Sequence, residues 1–154
     1  MLKTNKAPEV LALHTLVAEQ TGVFIKSFLA HRCAPRELYG VALSRISREM
    51  RREFGPTQTS RIFQTFANAQ YETTETTVAV PDEEYRATEH QRDIWDLTGM
   101  LLRDLRKRFE ARDMYNALLS YLSLEISREF GSREARTVLQ GFADTQHEVT
   151  KYDR

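Results

Sequence analysis

Four glutamates are the first residues in this sequence whose type and spacing could support chemistry. They occur as two pairs separated by 76 residues, Glu49 with Glu125 and Glu72 with Glu148. Helical carboxylate di-metal proteins combine such glutamates with a Glu-x-x-His motif from each half of the bundle. No Glu-x-x-His motif occurs in this chain. The sequence therefore predicts no metal site, and Glu49 and Glu125, with the arginine and glutamate near each, are interpreted as solvated or salt-bridged helix edges.

The remaining nucleophiles and ligand-forming residues are also dispersed. Cys33 has no histidine at a motif-like spacing, and the four histidines lie at positions 14, 31, 90 and 147. The chain contains no glycine-rich phosphate loop. We therefore expect no catalytic residues and no cofactor. Because one cysteine cannot form an internal disulfide and no signal-like segment is present, we also expect a cytoplasmic protein without a membrane span.

A row of arginines on one predicted helix is the strongest candidate for binding. Its members follow one another in steps of three and four, which places them on one helix face with Arg51 beside them. Guanidinium groups bind carboxylates and phosphates through paired hydrogen bonds. The equivalent positions 76 residues later hold two apolar or aromatic residues and one arginine. The predicted partner-binding residues are Arg45, Arg48, Arg51, Arg52, Tyr121, Leu124 and Arg128.

The segment around Arg128 also resembles a helix-turn-helix in outline, with the sequence ISREFGSREA. That motif requires apolar residues at positions that hold Ser132, Thr137 and Gln140 here. The apolar residues Val138 and Leu139 lie one step out of register. We therefore predict a simple antiparallel pair of helices at this place, and no DNA-reading helix.

Composition and charge place the chain among ordinary globular proteins. Hydrophobic residues make up 41% of the 154 positions and charged residues 29%, with a formal net charge of zero. Residues 1–76 carry ten Lys/Arg against seven Asp/Glu, and residues 77–154 carry twelve against fifteen. The halves therefore have net charges of +3 and −3. A neutral chain has no general attraction to DNA or anionic lipid, so such binding would require a local patch.

The two glutamate pairs belong to a longer internal repeat. Residues 36–72 align without gaps on residues 112–148, and more than a third of the aligned positions are identical. The segment TGVFIKSFL aligns on TGMLLRDLR upstream of this region. Repeats of this kind indicate duplicated supersecondary units. We divide the chain into repeat one at 8–72, a linker at 73–82 and repeat two at 83–150.

Each repeat is predicted to form three helices. Apolar spacing of three and four residues marks helices at 8–31, 36–54 and 57–72, and again at 83–108, 112–130 and 133–150. Gly55 and Gly131 are expected to end the second helix of each repeat. The linker includes a β-branched piece, Thr76–Val80, that could be extended. The predicted fold is all-α: internally duplicated three-helix units, about six helices, packed as one pseudo-two-fold helical domain over 1–154.

Two glycines recur inside the first helix of each repeat, at Gly22 and Gly99. Glycine in a helix interior costs about 1 kcal/mol relative to alanine, so its recurrence needs a reason. One interpretation is the close approach of another backbone, and the other is a break between two short helices.

Three functional hypotheses follow from these features. The first is a non-enzymatic helical interaction protein, such as a regulator, inhibitor or adaptor, which binds a protein partner of acidic character and forms a homodimer. The second is a nucleic-acid-binding protein that uses the arginine row. The third is an enzyme or small-ligand binder without a recognisable motif. For Tyr121 and Leu124, burial beneath neighbouring helices and an interface with a second chain both stay open.

Overall fold

The computed structural model describes residues 6–30, 34–70 and 89–146. Within these ranges the chain forms six α-helices and no strand. The helices are α1 (Lys6–Ala30), α2 (Pro35–Phe54), α3 (Pro56–Asn68), α4 (Glu89–Arg106), α5 (Ala111–Phe130) and α6 (Ser132–Thr145). This confirms the all-α prediction with six helices. The predicted linker, including Thr76–Val80, lies outside the described residues.

The turns after α2 and α5 are set by glycine, as the sequence predicts. Gly55 has φ 84° and Gly131 has φ 93°, in the region that side chains with a Cβ avoid. The backbone N–H of Gly55 donates to Arg51 O at 2.9 Å, and that of Gly131 donates to Ser127 O at 2.8 Å. These bonds complete the last turn of each helix before the chain reverses into α3 or α6.

The chain divides into two compact units, and each unit draws on both halves of the sequence. Unit 1 comprises residues 1–46 and 87–121, and unit 2 comprises residues 47–86 and 122–154. Helix α1 packs against α4 in unit 1, and α3 packs against α6 in unit 2. The units therefore do not coincide with the two sequence repeats. The predicted single domain over 1–154 stays a prediction.

The core of unit 1 contains apolar side chains from every helix segment in that unit. Its buried members include Leu13, Val17, Leu38, Leu43, Ile94, Leu102, Leu105, Met114 and Leu118. Ile94, Leu97 and Leu105 follow one another at helical spacing, which predicts one buried stripe, but the prediction is wrong for Leu97. Leu97 is 42% exposed, because the buried side of α4 passes through Leu102 and Thr98 instead.

The core of unit 2 is built around the contact between α3 and α6. The Phe63 and Phe142 rings stack with centroids 5.4 Å apart, and Ser60 Oγ donates to Ala143 O at 2.7 Å. The side-chain amides of Gln64 and Gln140 donate to each other's oxygen, with both bonds at 2.6 Å. Polar and apolar contacts thus alternate along this pair of helices.

Helices α1 and α4 continue through Gly22 and Gly99 without interruption, so the interpretation of two short helices was wrong. In the described part of the chain, no helix has the length and apolar character needed to cross a membrane.

Candidate interaction surface

The division of the chain separates the seven predicted partner-binding residues into two groups. Arg45 and Tyr121 belong to unit 1. The other five belong to unit 2: Arg48, Arg51, Arg52, Leu124 and Arg128. The continuous helices α2 and α5 position both groups, because each helix contributes its first half to unit 1 and its second half to unit 2.

The guanidinium group of Arg45 lies inside unit 1 against helix α4. Its Cζ is 5.1 Å from the centroid of the Trp95 ring, and its Nη1 donates to Trp95 O at 3.4 Å. A Cβ built on Gly99 would lie 2.7 Å from Cζ and Nη2 of Arg45. A larger residue at position 99 would therefore collide with the Arg45 guanidinium group, which accounts for the glycine. The sequence predicted a neighbouring backbone there, and the neighbour is instead a side chain.

Tyr121 makes the corresponding contact with the other glycine. A Cβ built on Gly22 would lie 3.2 Å from the hydroxyl oxygen of Tyr121, which is tighter than ordinary van der Waals contact. Tyr121 is half-buried by this packing against α1. Arg45 and Tyr121 thus have packing contacts within unit 1, and their role in partner binding stays a prediction.

Arg51 is held in unit 2 by a hydrogen-bond network around Gln146. Arg51 Nη1 donates to Gln146 Oε1 at 3.0 Å, while Gln146 Nε2 donates to Ser47 Oγ at 2.7 Å. Gln146 is only 1% exposed, and its Nε2 also donates to Phe142 O at 2.7 Å. Because buried polar groups are stabilised only when they are paired, this network gives Arg51 a structural role.

Arg52 and Arg128 extend into solvent beside a glutamate of the same helix. Arg52 Nη1 lies 3.7 Å from Glu49 Oε1, and Arg128 Nη1 lies 3.2 Å from Glu125 Oε1. The two arginine side chains are 60% and 66% exposed. Ion pairs at such exposure contribute little to stability, so both guanidinium groups remain available to a partner. The two pairs confirm the interpretation of Glu49 and Glu125 as salt-bridged helix edges.

Leu124 is the exposed apolar residue of this group. It is 48% exposed, whereas Leu122 and Ile126 on the other side of α5 are buried. Arg128 follows Leu124 by four residues, so the two side chains are neighbours on one face. The second half of α5 therefore presents an apolar side chain next to a charged pair.

A shallow depression beside the Arg45 contact was missed by the sequence reasoning. It has a volume of about 400 Å³ and is lined by Gln91, Arg92, Trp95 and Asp96. One signal for it was available, since Trp95 is the single tryptophan of the chain. The depression is open and its lining comes from one helix, so it lacks the enclosure of most small-molecule sites.

No described side chains form an arrangement suited to metal chemistry. Among the side chains that the structure describes, at 11–28, 34–70 and 91–146, no three His, Cys, Asp or Glu come together as ligands. Cys33, His31 and His147 lie outside these ranges. Comparisons with protein-family models, curated proteins and solved structures give no match to this chain.

Proposed function

We propose that this chain is a non-enzymatic helical interaction protein, a regulator, inhibitor or adaptor that acts through a protein surface and forms a homodimer. The observation that carries the proposal is the exposed Leu124 on α5, a helix whose other side is buried in the core. A helix with apolar residues on two sides is normally covered on both. Leu124 and Arg128 form the centre of the proposed surface.

The exposed apolar side chain of Leu124 supports a protein partner more than a nucleic acid. Glu125 stands beside Arg128, and Glu49 stands beside Arg52. A carboxylate next to each exposed guanidinium group weakens its attraction for phosphate and carboxylate alike, so these charges alone do not select the partner. A protein can offer an apolar side chain to Leu124 and a carboxylate to Arg128 at the same time.

The proposal includes an internal duplication with pseudo-two-fold packing of equivalent helices. Three contacts support it. Gln64 and Gln140, which are 76 residues apart, donate hydrogen bonds to each other. Within unit 1, Gly99 faces Arg45 and Gly22 faces Tyr121, and Arg45 and Tyr121 are also 76 residues apart. Equivalent helices also pack together, α1 on α4 and α3 on α6.

Site-specific photo-crosslinking tests the proposed surface. A photoreactive phenylalanine derivative replaces Leu124 in one variant and Leu11, which is 68% exposed on α1, in a control. Crosslinking in the native host followed by mass spectrometry should capture a partner at position 124 and not at position 11. The captured protein is then purified for titration.

The titration measures the affinity of that partner for variants of the proposed surface. Leu124→Asp should weaken binding at least tenfold, because the substitution would bury an unpaired carboxylate at the centre of the contact. Leu11→Asp should leave the affinity unchanged. Equal affinities for the two variants would refute the surface. A salt titration with random-sequence DNA tests the nucleic-acid alternative, since several phosphate contacts would give steeply salt-dependent binding.

A further inference from the structure

The exposed face of α4 has an apolar centre of its own. Leu97 is 42% exposed and Met100 is 54% exposed. Residues three apart on a helix are neighbours, so the two side chains form one patch. Thr98 and Leu102, on the side of α4 opposite Met100, are buried. Like α5, helix α4 therefore has apolar residues on two sides, and its outer side is uncovered within unit 1.

Charged residues flank this patch in an order that suits a second copy of the same helix. Asp96 and Arg103 are both exposed and lie seven residues apart, on one edge of the Leu97–Met100 pair. The acidic residue is at the N-terminal end of the patch, and the basic residue is at the C-terminal end. When two copies run antiparallel about a two-fold axis, the same edges of the two helices face each other and the acidic end of one meets the basic end of the other. In a parallel pair these edges lie on opposite sides of the contact, so the Asp96–Arg103 attraction is lost.

We propose that two copies of the chain pair antiparallel through α4, with Leu97 of each copy against Met100 of the other. In this register Arg103 of the second copy lies level with residue 94 of the first, within about 3 Å of Asp96 along the helix axis. Two-fold symmetry repeats the contact, so each dimer contains two Asp96–Arg103 pairs. The inference rests on the homodimer part of the proposed function and names the surface that forms it.

The same register brings a like-charged pair together at each end of the contact. Asp93 of one copy lies level with Asp104 of the other, and both residues are exposed. Their repulsion restricts close contact to the middle two turns, where Leu97 and Met100 lie. The dimer is therefore weak, and Asp104→Asn should strengthen it.

The other exposed apolar residues of unit 1 do not form such a patch. Leu11 and Val23 on α1 are 68% and 70% exposed. They are twelve residues apart, which is about 18 Å along a helix. Twelve residues also turn the helix by about 120° beyond whole turns, so the two side chains lie on different faces of α1. The Leu97–Met100 patch is compact and has complementary charges at its edge.

Charge reversal tests this pairing by sedimentation equilibrium of the full chain. Asp96→Arg and Arg103→Glu each turn two attractions into two repulsions, so each variant alone should dimerise about tenfold more weakly at low salt. An equimolar mixture of the two variants should recover the wild-type dimer constant within about threefold, because the mixed dimer restores both pairs. The double variant should recover it as well. These differences should shrink at 1 M salt.

Arg61→Glu, an exposed charge reversal on α3, serves as the matched control and should leave dimerisation unchanged. If a charge-reversal variant loses the helical signal in its circular dichroism spectrum, the neutral variants Asp96→Asn and Arg103→Gln replace it. Each of these should weaken the dimer by about threefold. If the wild-type chain dimerises and none of these substitutions changes the dimer constant, the α4 interface is refuted and the homodimer proposal stands. A chain that stays monomeric up to about 1 mM would overturn both, while partner capture at Leu124 would be unaffected.

Discussion

Replacement of Gly99 by alanine should be destabilising only because Arg45 is present. The added Cβ would lie 2.7 Å from Cζ and Nη2 of Arg45, so the guanidinium group must move. This movement loses the cation–π contact with Trp95, which contributes about 0.5–1 kcal/mol. It also loses the hydrogen bond to Trp95 O, which is long and so contributes about 0.5 kcal/mol, the low end of the usual range. Alanine regains about 1 kcal/mol of helix propensity. Gly99→Ala should thus lower the free energy of unfolding by about 0–0.5 kcal/mol.

The same substitution in an Arg45→Ala background should instead raise the free energy of unfolding by about 1 kcal/mol, since only the propensity gain remains. The coupling between the two positions is then about 1–1.5 kcal/mol. Urea unfolding measures it, with Trp95 fluorescence and far-ultraviolet circular dichroism as probes.

A helical glycine without neighbours is the control for this cycle. A Cβ built on Gly141 of α6 meets nothing within 4 Å. Gly141→Ala should therefore raise the free energy of unfolding by up to about 1 kcal/mol in both backgrounds. Equal effects of Gly99→Ala with and without Arg45, within about 0.3 kcal/mol, would refute the account of why Gly99 is a glycine.

Three further predictions concern stability. Gly131→Ala should lower the free energy of unfolding by about 1–2 kcal/mol, because φ is 93° there; no loss in urea unfolding would contradict this. Gln146→Leu should lower the free energy of unfolding by about 1–3 kcal/mol, because the buried Ser47 hydroxyl loses its partner. An unchanged urea midpoint would show that the Gln146 hydrogen bonds do not stabilise the fold. Residues 1–76 or 77–154 expressed alone should be poorly folded or self-associate, since each unit needs segments of both halves. A monomeric half with a cooperative thermal transition would be evidence against that requirement.

Local signals in the sequence predicted the helices and their turns well. Helices α2 and α5 begin and end within one residue of the predicted 36–54 and 112–130. Their ends were predictable because Gly55 and Gly131 act through their own backbone conformation and need no distant partner. Apolar spacing along α5 also predicts a buried stripe that includes Tyr115, Leu118 and Leu122, and all three are buried. Each of these features depends on residues within one or two turns of each other.

The partners of the candidate site residues depended on the tertiary structure. The sequence placed Arg45 in an arginine row, but Trp95, 50 residues away, decides where its guanidinium group lies. Leu97 fits the apolar spacing of α4 as well as Ile94 does, yet the orientation of the helix against its neighbours leaves Leu97 exposed. Periodicity defines the faces of a helix, and packing selects which of two apolar faces is covered. The sequence by itself therefore determined the helices and the recurring glycines, and only the tertiary structure decided which side chains fill the space beside those glycines.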